Sequence, residues 1–272
     1  MRSIIFFVGL LFFSFFLNSS MAANNTSNDG VSIPILCYHN FNPTIPGSMT
    51  ITPQRFEEQL NWLKQNGYTV IPLTQAVNYL KGKINSIPAK PVVITDDDGR
   101  KSVYQYLLPI AQKYHIPVTL FIYPMIISKA HYALTWQQLK TLQQTGLFTV
   151  EDHTYWHPNF KQEKKHLSDV AYEKLVYTQL VTSKKILQEK LGTPITLLAW
   201  PFGIHNPYLE QQAAKAGYAM AFSIAARHAT RSDDDMAQPR YMIIQDQSMK
   251  MFAAIIKGYA QGKRKKIQQQ TA

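Results

Sequence analysis

The sequence predicts a single α/β barrel of parallel strands. Short runs rich in β-branched and aromatic residues alternate with longer stretches of helical periodicity from residue 33 onward. Strands separated by helices pair in parallel through right-handed crossovers, and seven or eight such units favour a barrel over an open sheet. About 250 residues remain after the N-terminal leader, which suits one α/β barrel. A hydrophobic content of 46% can fill its core.

The predicted strands are short apolar runs, and the predicted helices fill the intervals between them. In chain order, the strands cover residues 33–38, 68–72, 91–96, 117–123, 147–152, 197–200, 218–224 and 241–245. The helices cover residues 53–65, 74–81, 102–114, 135–144, 168–191, 207–216 and 248–259. In the first helix, Phe56, Leu60 and Leu63 repeat at helical spacing behind a start at Thr52 and Pro53.

Both ends of the chain differ in composition from the predicted domain. Arg2 precedes an apolar run over residues 4–17, and Ser20 and Ala22 fit the small-residue pattern of a signal-peptide cleavage site. The expected segments are a signal peptide over 1–22, a flexible leader over 23–30, a folded domain over 31–260 and a basic polar tail over 261–272. A membrane-tethered N-terminus is the alternative if the first segment is not cleaved. Export leaves periplasmic, secreted and cell-surface locations open.

The chain is strongly basic, with a formal net charge of +11. This charge favours anionic surroundings, such as phosphate-bearing envelope polymers or membrane surfaces. Nucleic acid is not an expected partner of an exported protein, and the densest basic run, residues 263–266, is interpreted as part of a solvated tail. Cys37 is the single cysteine, so no intramolecular disulfide can form.

Three motifs follow predicted strands. Asp97 and Asp98 come at the end of one strand, His153 and His157 follow another, and the segment 200–203 (Trp-Pro-Phe-Gly) follows a third. The carboxyl ends of parallel strands share one rim of a barrel, where active sites are built. We therefore expect the three motifs to converge.

The acidic and histidine motifs together have the composition of a hydrolytic metal site. Two histidines and one carboxylate leave an open position on a zinc-like ion, and a second carboxylate remains available as a base. Pro158 disfavours helical geometry at His157, so the histidines are expected on a turn after the strand. Each motif also has a simpler interpretation: an Asp-rich turn or helix cap for residues 96–98, and surface or core histidines for the other.

These motifs resemble those of the polysaccharide deacetylases of carbohydrate esterase family 4. Residues 95–99 (Thr-Asp-Asp-Asp-Gly) resemble the family's Thr-Phe-Asp-Asp-Gly motif, residues 153–157 match its His-Ser/Thr-x-x-His motif, and residues 200–203 resemble its third motif. The resemblance extends from Cys37 to Tyr241. It implies a distorted (β/α)7 barrel that hydrolyses acetyl groups from a polysaccharide containing N-acetylglucosamine.

The same resemblance implies roles by position. Asp97 corresponds to the catalytic base, and Asp98, His153 and His157 correspond to ligands of a divalent metal ion, expected to be Zn²⁺ with Co²⁺ or Ni²⁺ as alternatives. An acetylated polysaccharide is the expected partner. The backbone N–H of Phe202 would help to bind the tetrahedral oxyanion. The residues expected at the substrate are Phe202, Pro201 and Trp200.

Several positions depart from the family's pattern. Asp96 stands where an apolar residue is usual and Asp152 where a small polar residue is common, so either could add negative charge near the metal or point away from it. Ala199 occupies the place of an arginine that orients the base in many members. Arg240, just before the last predicted strand, could position an acid or base or form a structural ion pair.

The general acid and the sugar-binding residues are less clearly marked. No Leu-x-His motif lies near the C-terminus to supply the acid, and His205 and His228 are the substitutes, although each is more readily interpreted as a loop histidine. Aromatic residues that could support sugar rings, with the first two favoured, are Trp200, Trp156, Trp136 and Tyr123.

Two other functions stay open at this point. An esterase that removes O-acetyl groups from a polysaccharide would use the same fold and motifs. A non-catalytic glycan-binding barrel is favoured by Ala199, Asp96 and the missing histidine motif, whereas the retention of Asp97 with all three expected ligands opposes it.

Overall fold

A curled sheet of short parallel strands forms the centre of the protein. The computed structural model describes residues 30–258. The predicted signal peptide (1–22), nearly all of the leader and the basic tail (261–272) lie outside these residues. The strands are β1 Ile35–Tyr38, β2 Asn40–Phe41, β3 Thr50–Ile51, β4 Thr69–Val70, β5 Pro91–Asp97, β6 Val118–Ile122, β7 Phe148–Asp152, β8 Leu197–Ala199, β9 Met220–Phe222 and β10 Tyr241–Met242.

The strands of the sheet pair in parallel, as the sequence predicted. Its strands follow the path β10-β1-β5-β6-β7-β8-β9, each neighbouring pair is parallel, and β4 pairs with the first residues of β5. Among the described residues β9 and β10 do not pair directly, and one parallel bridge joins Phe222 of β9 to Gln238, three residues before β10. The predicted distorted (β/α)7 barrel is therefore confirmed, and its distortion lies at this incomplete closure.

Most of the helices pack on the outside of the sheet, and the second of them packs with the inward-facing side chains. The helices are α1 Pro53–Gln65, α2 Leu73–Leu80, α3 Leu108–Tyr114, α4 Trp136–Gln144, α5 Phe160–His166, α6 Asp169–Tyr177, α7 Ser183–Leu191, α8 Pro207–Lys215 and α9 Met249–Ile256. The helix α1 begins behind Thr52, as predicted, and the Thr52 side chain accepts a hydrogen bond from the backbone N–H of Arg55. The sequence pattern did not reveal α5, because only Phe160 of that helix is buried.

Two predicted helices contain a π-helical turn. The turn Val103–Leu107 precedes α3, and Pro109 explains it: proline has no N–H to continue the α-helical ladder, and the N–H of Leu108 donates instead to the carbonyl of Val103. The turn Thr178–Thr182 joins α6 to α7, and the residues at both junctions keep right-handed helical backbone angles, so the predicted helix over 168–191 is confirmed, with this turn inside it. This second turn carries a side chain that supports the candidate site.

Side-chain alternation along the strands separates two buried layers. In β5, Val92 and Ile94 pack with the helices that surround the sheet, whereas Val93 packs with residues of the opposite face and with α2. Asp96 continues the outward series, and Asp97 continues the inward series. Full burial of each aliphatic side chain contributes about 1.5–3 kcal/mol, so this alternation fixes the register of the strand.

Among residues 30–258, no helix combines the length and the apolar character that crossing a bilayer requires.

Candidate active site

The acidic motif makes a sharp turn at the end of β5. Asp97 is the last residue of the strand, and Asp98 has a left-handed backbone with φ of 79°. Gly99 is also left-handed, and a Cβ atom on it would lie 2.7 Å from Cδ1 of Ile122, so both the backbone angle and the space favour glycine at this position. The turn leaves both aspartate side chains 3.8 Å from Nε2 of His153.

Asp98, His153 and His157 converge as a group that could hold a metal ion. One ligand atom from each residue lies within 4.8 Å of the others. Oδ1 of Asp98 is 3.8 Å from Nε2 of His153 and 3.9 Å from Nε2 of His157. Tetrahedral ligands about 2.1 Å from a zinc ion are roughly 3.4 Å apart, so a small closure of these side chains would complete three bonds.

The two histidines present ring nitrogen atoms to this position. Nδ1 of His153 lies 2.8 Å from the carbonyl oxygen of Ala199, and because a carbonyl can only accept, Nδ1 is the donor and Nε2 is the nitrogen that faces Asp98. Burial and the neighbouring His153 lower the pKa of His157 to about 4, against the opposing effect of Asp98. Both rings are thereby suited to metal ligation.

The histidine loop is held by a buried glutamine. Oε1 of Gln179 accepts hydrogen bonds from the backbone N–H groups of Tyr155, at 3.0 Å, and Trp156, at 3.1 Å. Gln179 belongs to the second π-helical turn and is fully buried. His157 has φ of 65°, so the loop is not helical, as the following proline predicted.

Asp97 has a different partner from Asp98. Its Oδ1 and Oδ2 each accept a hydrogen bond of 2.8 Å from the guanidinium of Arg240, which is fully buried. Burial alone would raise the pKa of Asp97, but the charge and hydrogen bonds of Arg240, together with His153, hold that pKa below its ordinary value. Arg240 also donates to Thr95 and to the carbonyl of Ser223, which fixes the guanidinium in place.

Asp97 and the group formed by Asp98, His153 and His157 line the same cavity, whose volume is about 350 Å³. Besides residues of the three motifs, it is lined by side chains that the motif search missed: His39, Met49, Ile224 and Met242. His39 directly follows β1, so the rim position that marked the other motifs would also have identified it. Burial lowers the pKa of His39, although Asp97 and Asp98 oppose this effect. The apolar residues carry no chemical signal in the sequence.

The third motif also reaches the cavity, but its tryptophan does not present a free ring. Phe202 has φ of 57°, its side chain is 55% exposed, and its ring lies 4.6 Å from that of His157. Pro201 is buried. The indole of Trp200 is fully buried and donates to the carbonyl of Met236, so it cannot serve as an exposed platform for a sugar. Trp156 remains 38% exposed.

Asp96 and Asp152 both point away from the group formed by Asp98, His153 and His157. Asp152 accepts hydrogen bonds from the hydroxyls of Ser183 and Tyr218, and burial raises its pKa to about 7. Asp96 is fully buried on the outward series of β5, and neither of its carboxylate oxygens has a hydrogen-bond partner among the described residues. Burial, reinforced by Asp97 and Asp98, raises the pKa of Asp96 well above its ordinary value.

The two histidines considered as substitutes for the general acid lie elsewhere. Nδ1 of His205 is 2.6 Å from a carboxylate oxygen of Glu210. His228 contacts the hydroxyl of Ser32 and the carbonyl of Ile255. Neither His205 nor His228 lines the cavity. Besides His153 and His157, the histidine that lines it is His39.

The comparison with known proteins agrees with this geometry. A family model described as polysaccharide deacetylase matches residues 85–221, half of the chain. The chain belongs to the polysaccharide deacetylase family. This membership makes it a hydrolase with the chemistry that the motifs predicted, and the Asp98 group provides a position for the metal ion on which such deacetylases generally depend.

Individual members of the polysaccharide deacetylase family are similar over most of the chain. The poly-β-1,6-N-acetyl-D-glucosamine N-deacetylase of Staphylococcus aureus strain MRSA252 is 28% identical over 202 residues, which cover 72% of this chain and 69% of that protein. The structure of Streptococcus pyogenes deacetylase PplD in complex with acetate has 26% identity and a TM-score of 0.73, covering 83% of this chain and 98% of that chain. The structure of IcaB from Ammonifex degensii has 27% identity and a TM-score of 0.73, covering 84% of this chain and 98% of that chain.

Asp96→Asn should stabilise the protein at alkaline pH. A carboxyl group with a raised pKa in the folded state stabilises below its ordinary pKa, and that contribution is lost as pH rises toward the folded value. The variant cannot ionise, so at pH 8 its free energy of unfolding should exceed that of the unmodified protein by about 1–3 kcal/mol, with the difference shrinking toward pH 4. Urea unfolding of the two proteins between pH 4 and pH 8 measures this difference in the free energy of unfolding and its change with pH. The exposed Asp246→Asn is the matched control, and equal pH slopes in all three proteins would show that the Asp96 charge is compensated.

Proposed function

We propose that the protein removes N-acetyl groups from a polymer of N-acetylglucosamine and releases acetate, using a divalent metal ion held by Asp98, His153 and His157. One observation carries this proposal: that three-residue group lies beside Asp97, a carboxylate already fixed by Arg240, at the bottom of one open cavity. The similarity to an N-deacetylase of poly-β-1,6-N-acetyl-D-glucosamine supports the choice of substrate.

The donor set favours Zn²⁺ as the ion. Two imidazoles and one carboxylate match the three protein ligands of catalytic zinc sites, which keep a further position for water or substrate. The hydrogen bond from His153 to the carbonyl of Ala199 is the kind of outer contact that orients a metal-binding imidazole. When bound, the ion would polarise the acetyl carbonyl and make a water molecule more acidic. Co²⁺ and Ni²⁺ suit the same ligands.

Asp97 is the group proposed to take the proton of the attacking water. It is ionised over the whole physiological range, and the two hydrogen bonds from Arg240 keep its carboxylate from turning toward the metal position. The proton must then reach the amine that leaves. The imidazole of His39 lies in the same cavity, and in its neutral form it can accept a proton at one nitrogen and release one from the other.

The walls of the cavity suit an acetylated sugar. Met49, Ile224 and Met242 offer apolar surface to the acetyl methyl group. Phe202 and Trp156 are exposed aromatic side chains beside the histidine loop, where they can pack on the face of a sugar ring. The left-handed turn at Phe202 lies at the cavity, which supports the proposal that its backbone N–H binds the oxyanion.

We further propose that the enzyme works outside the cytoplasm. The support is the composition of residues 1–22, with Arg2 before an apolar run and small residues at the expected cleavage site. The net charge of +11 suits a polymer-rich, anionic envelope as the surroundings.

The substrate can be tested by acetate release from a panel of polymers with added Zn²⁺, Co²⁺ or Ni²⁺. Poly-β-1,6-N-acetylglucosamine should release acetate faster than chitin oligomers, peptidoglycan or acetylxylan. His157→Ala should abolish acetate release because it removes a metal ligand. Equal or faster release from acetylxylan would instead identify an O-acetyl esterase. Binding of the polymer without acetate release under any metal would identify a glycan-binding barrel.

Changes at Arg240 should alter the pH dependence of the reaction. Arg240→Lys keeps a charge but loses the paired hydrogen bonds, and Arg240→Met loses both. Because Arg240 lowers the pKa of Asp97, either change should raise that pKa. The acid limb of the plot of kcat/KM against pH should therefore move to higher pH, and it should move further for Arg240→Met than for Arg240→Lys. Both variants should still bind the metal ion.

Arg55→Met serves as the control for loss of an arginine, because the half-buried Arg55 pairs with Glu58 within α1, away from the cavity. An equal fall in rate at every pH, with the acid limb unmoved, would show that Arg240 contributes only to folding.

A further inference from the structure

A second group of metal-binding side chains shares Asp97 with the catalytic site. Sγ of Cys37 lies 3.3 Å from Oδ2 of Asp97 and 4.0 Å from Nδ1 of His39. One ligand atom from each of these three residues lies within 4.8 Å of the others. Cys37 and Asp97 are buried, and His39 is partly exposed at the cavity. A cation that enters the cavity can therefore reach the group from the His39 side.

We propose that Cys37, His39 and Asp97 form a second, inhibitory site for a thiol-binding divalent cation such as Zn²⁺. Thiolate sulfur, imidazole nitrogen and carboxylate oxygen are together the ligands that zinc selects, and the sulfur atom distinguishes this site from the Asp98 group. Binding replaces the thiol proton of Cys37, which leaves to the buffer, and forms a sulfur–metal bond without any change of oxidation state.

Arg240 makes this site the weaker of the two. Its guanidinium nitrogen lies 2.8 Å from the same Oδ2 atom that would bind the cation, and a carboxylate oxygen can serve both only through its two lone pairs. An ion at the Asp98 group would add further repulsion, because Oδ2 of Asp97 is only 3.8 Å from Nε2 of His153. The Asp98 group should therefore fill first and the Cys37 group only when the cation is in excess.

Occupation of the second site should stop turnover. A cation on Oδ2 neutralises the Asp97 carboxylate that would accept the proton, and the same cation binds the imidazole of His39. This consequence rests on the proposed deacetylase function, whereas the binding itself does not. The two claims can fail separately, so they are measured separately.

Binding is tested by titrating Co²⁺ into the purified, metal-stripped full chain and following the thiolate-to-cobalt absorption in the near ultraviolet, which histidine and carboxylate ligands do not produce. The first equivalent should give no such band and the second should give it. Cys37→Ser should not show the band at any ratio. In His157→Ala, where the first site is broken, the band should appear with the first equivalent. Absence of the band in the unmodified protein at large excess, or its persistence in Cys37→Ser, would overturn the proposal.

Inhibition is tested by acetate release as Zn²⁺ is raised beyond one equivalent, with each protein normalised to its own maximal rate. The unmodified enzyme should lose activity in excess Zn²⁺, and Cys37→Ser should require on the order of tenfold more Zn²⁺ for the same loss, because it lacks the soft ligand. Identical inhibition curves would overturn the inhibitory role. If no polymer yields acetate, the proposed function fails, while the cobalt titration still decides whether the second site exists.

Discussion

The buried ion pair between Asp97 and Arg240 is the interaction on which the rest of the site depends. Moving two charges out of water costs several kcal/mol for each ion, and only a well-formed pair offsets that cost. Here both carboxylate oxygens are bonded to the guanidinium, and Arg240 has further acceptors in Thr95 and Ser223. The pair holds Asp97 ionised and fixed, which leaves Asp98 to face the histidines. Two identical neighbouring residues thereby acquire different chemical environments.

The backbone that carries this arrangement is locally strained. Among residues 30–258, six non-glycine residues have a positive φ, and three of them, Asp98, His157 and Phe202, line the cavity. A left-handed backbone costs roughly 1–2 kcal/mol for each such residue. The packed strands beneath supply the stability that holds these turns, with Gly99 and Gly203 fitting where a Cβ atom would collide with Ile122 or Ile224. The barrel thus positions the loops, and the loops aim the side chains.

The sequence was most informative where local pattern and chemistry coincide. Parallel strand ends placed the three motifs on one rim, and Pro158 predicted the non-helical histidine loop. Asp96 and Asp152 could not be placed from sequence, because their orientation depends on strand parity and on partners such as Tyr218, 66 residues away. The partner of Asp97 is equally distant: Arg240 lies 143 residues along the chain, with no local signal linking the two. The burial of the Trp200 indole could not be predicted from the sequence, because adjacency to a motif does not determine burial.

The division of roles between Asp97 and Asp98 is tested most directly by measuring zinc per chain and acetate release together for Asp97→Asn and Asp98→Ala, with thermal unfolding to establish that both variants fold. Asp98→Ala should lose metal and activity together, because one of three protein ligands is gone. Asp97→Asn should keep its zinc, since asparagine fills the same volume, while its rate falls on the order of 10²–10⁴-fold for want of a proton acceptor. An Asp97→Asn protein without zinc, beside an Asp98→Ala protein that stays loaded, would contradict this division.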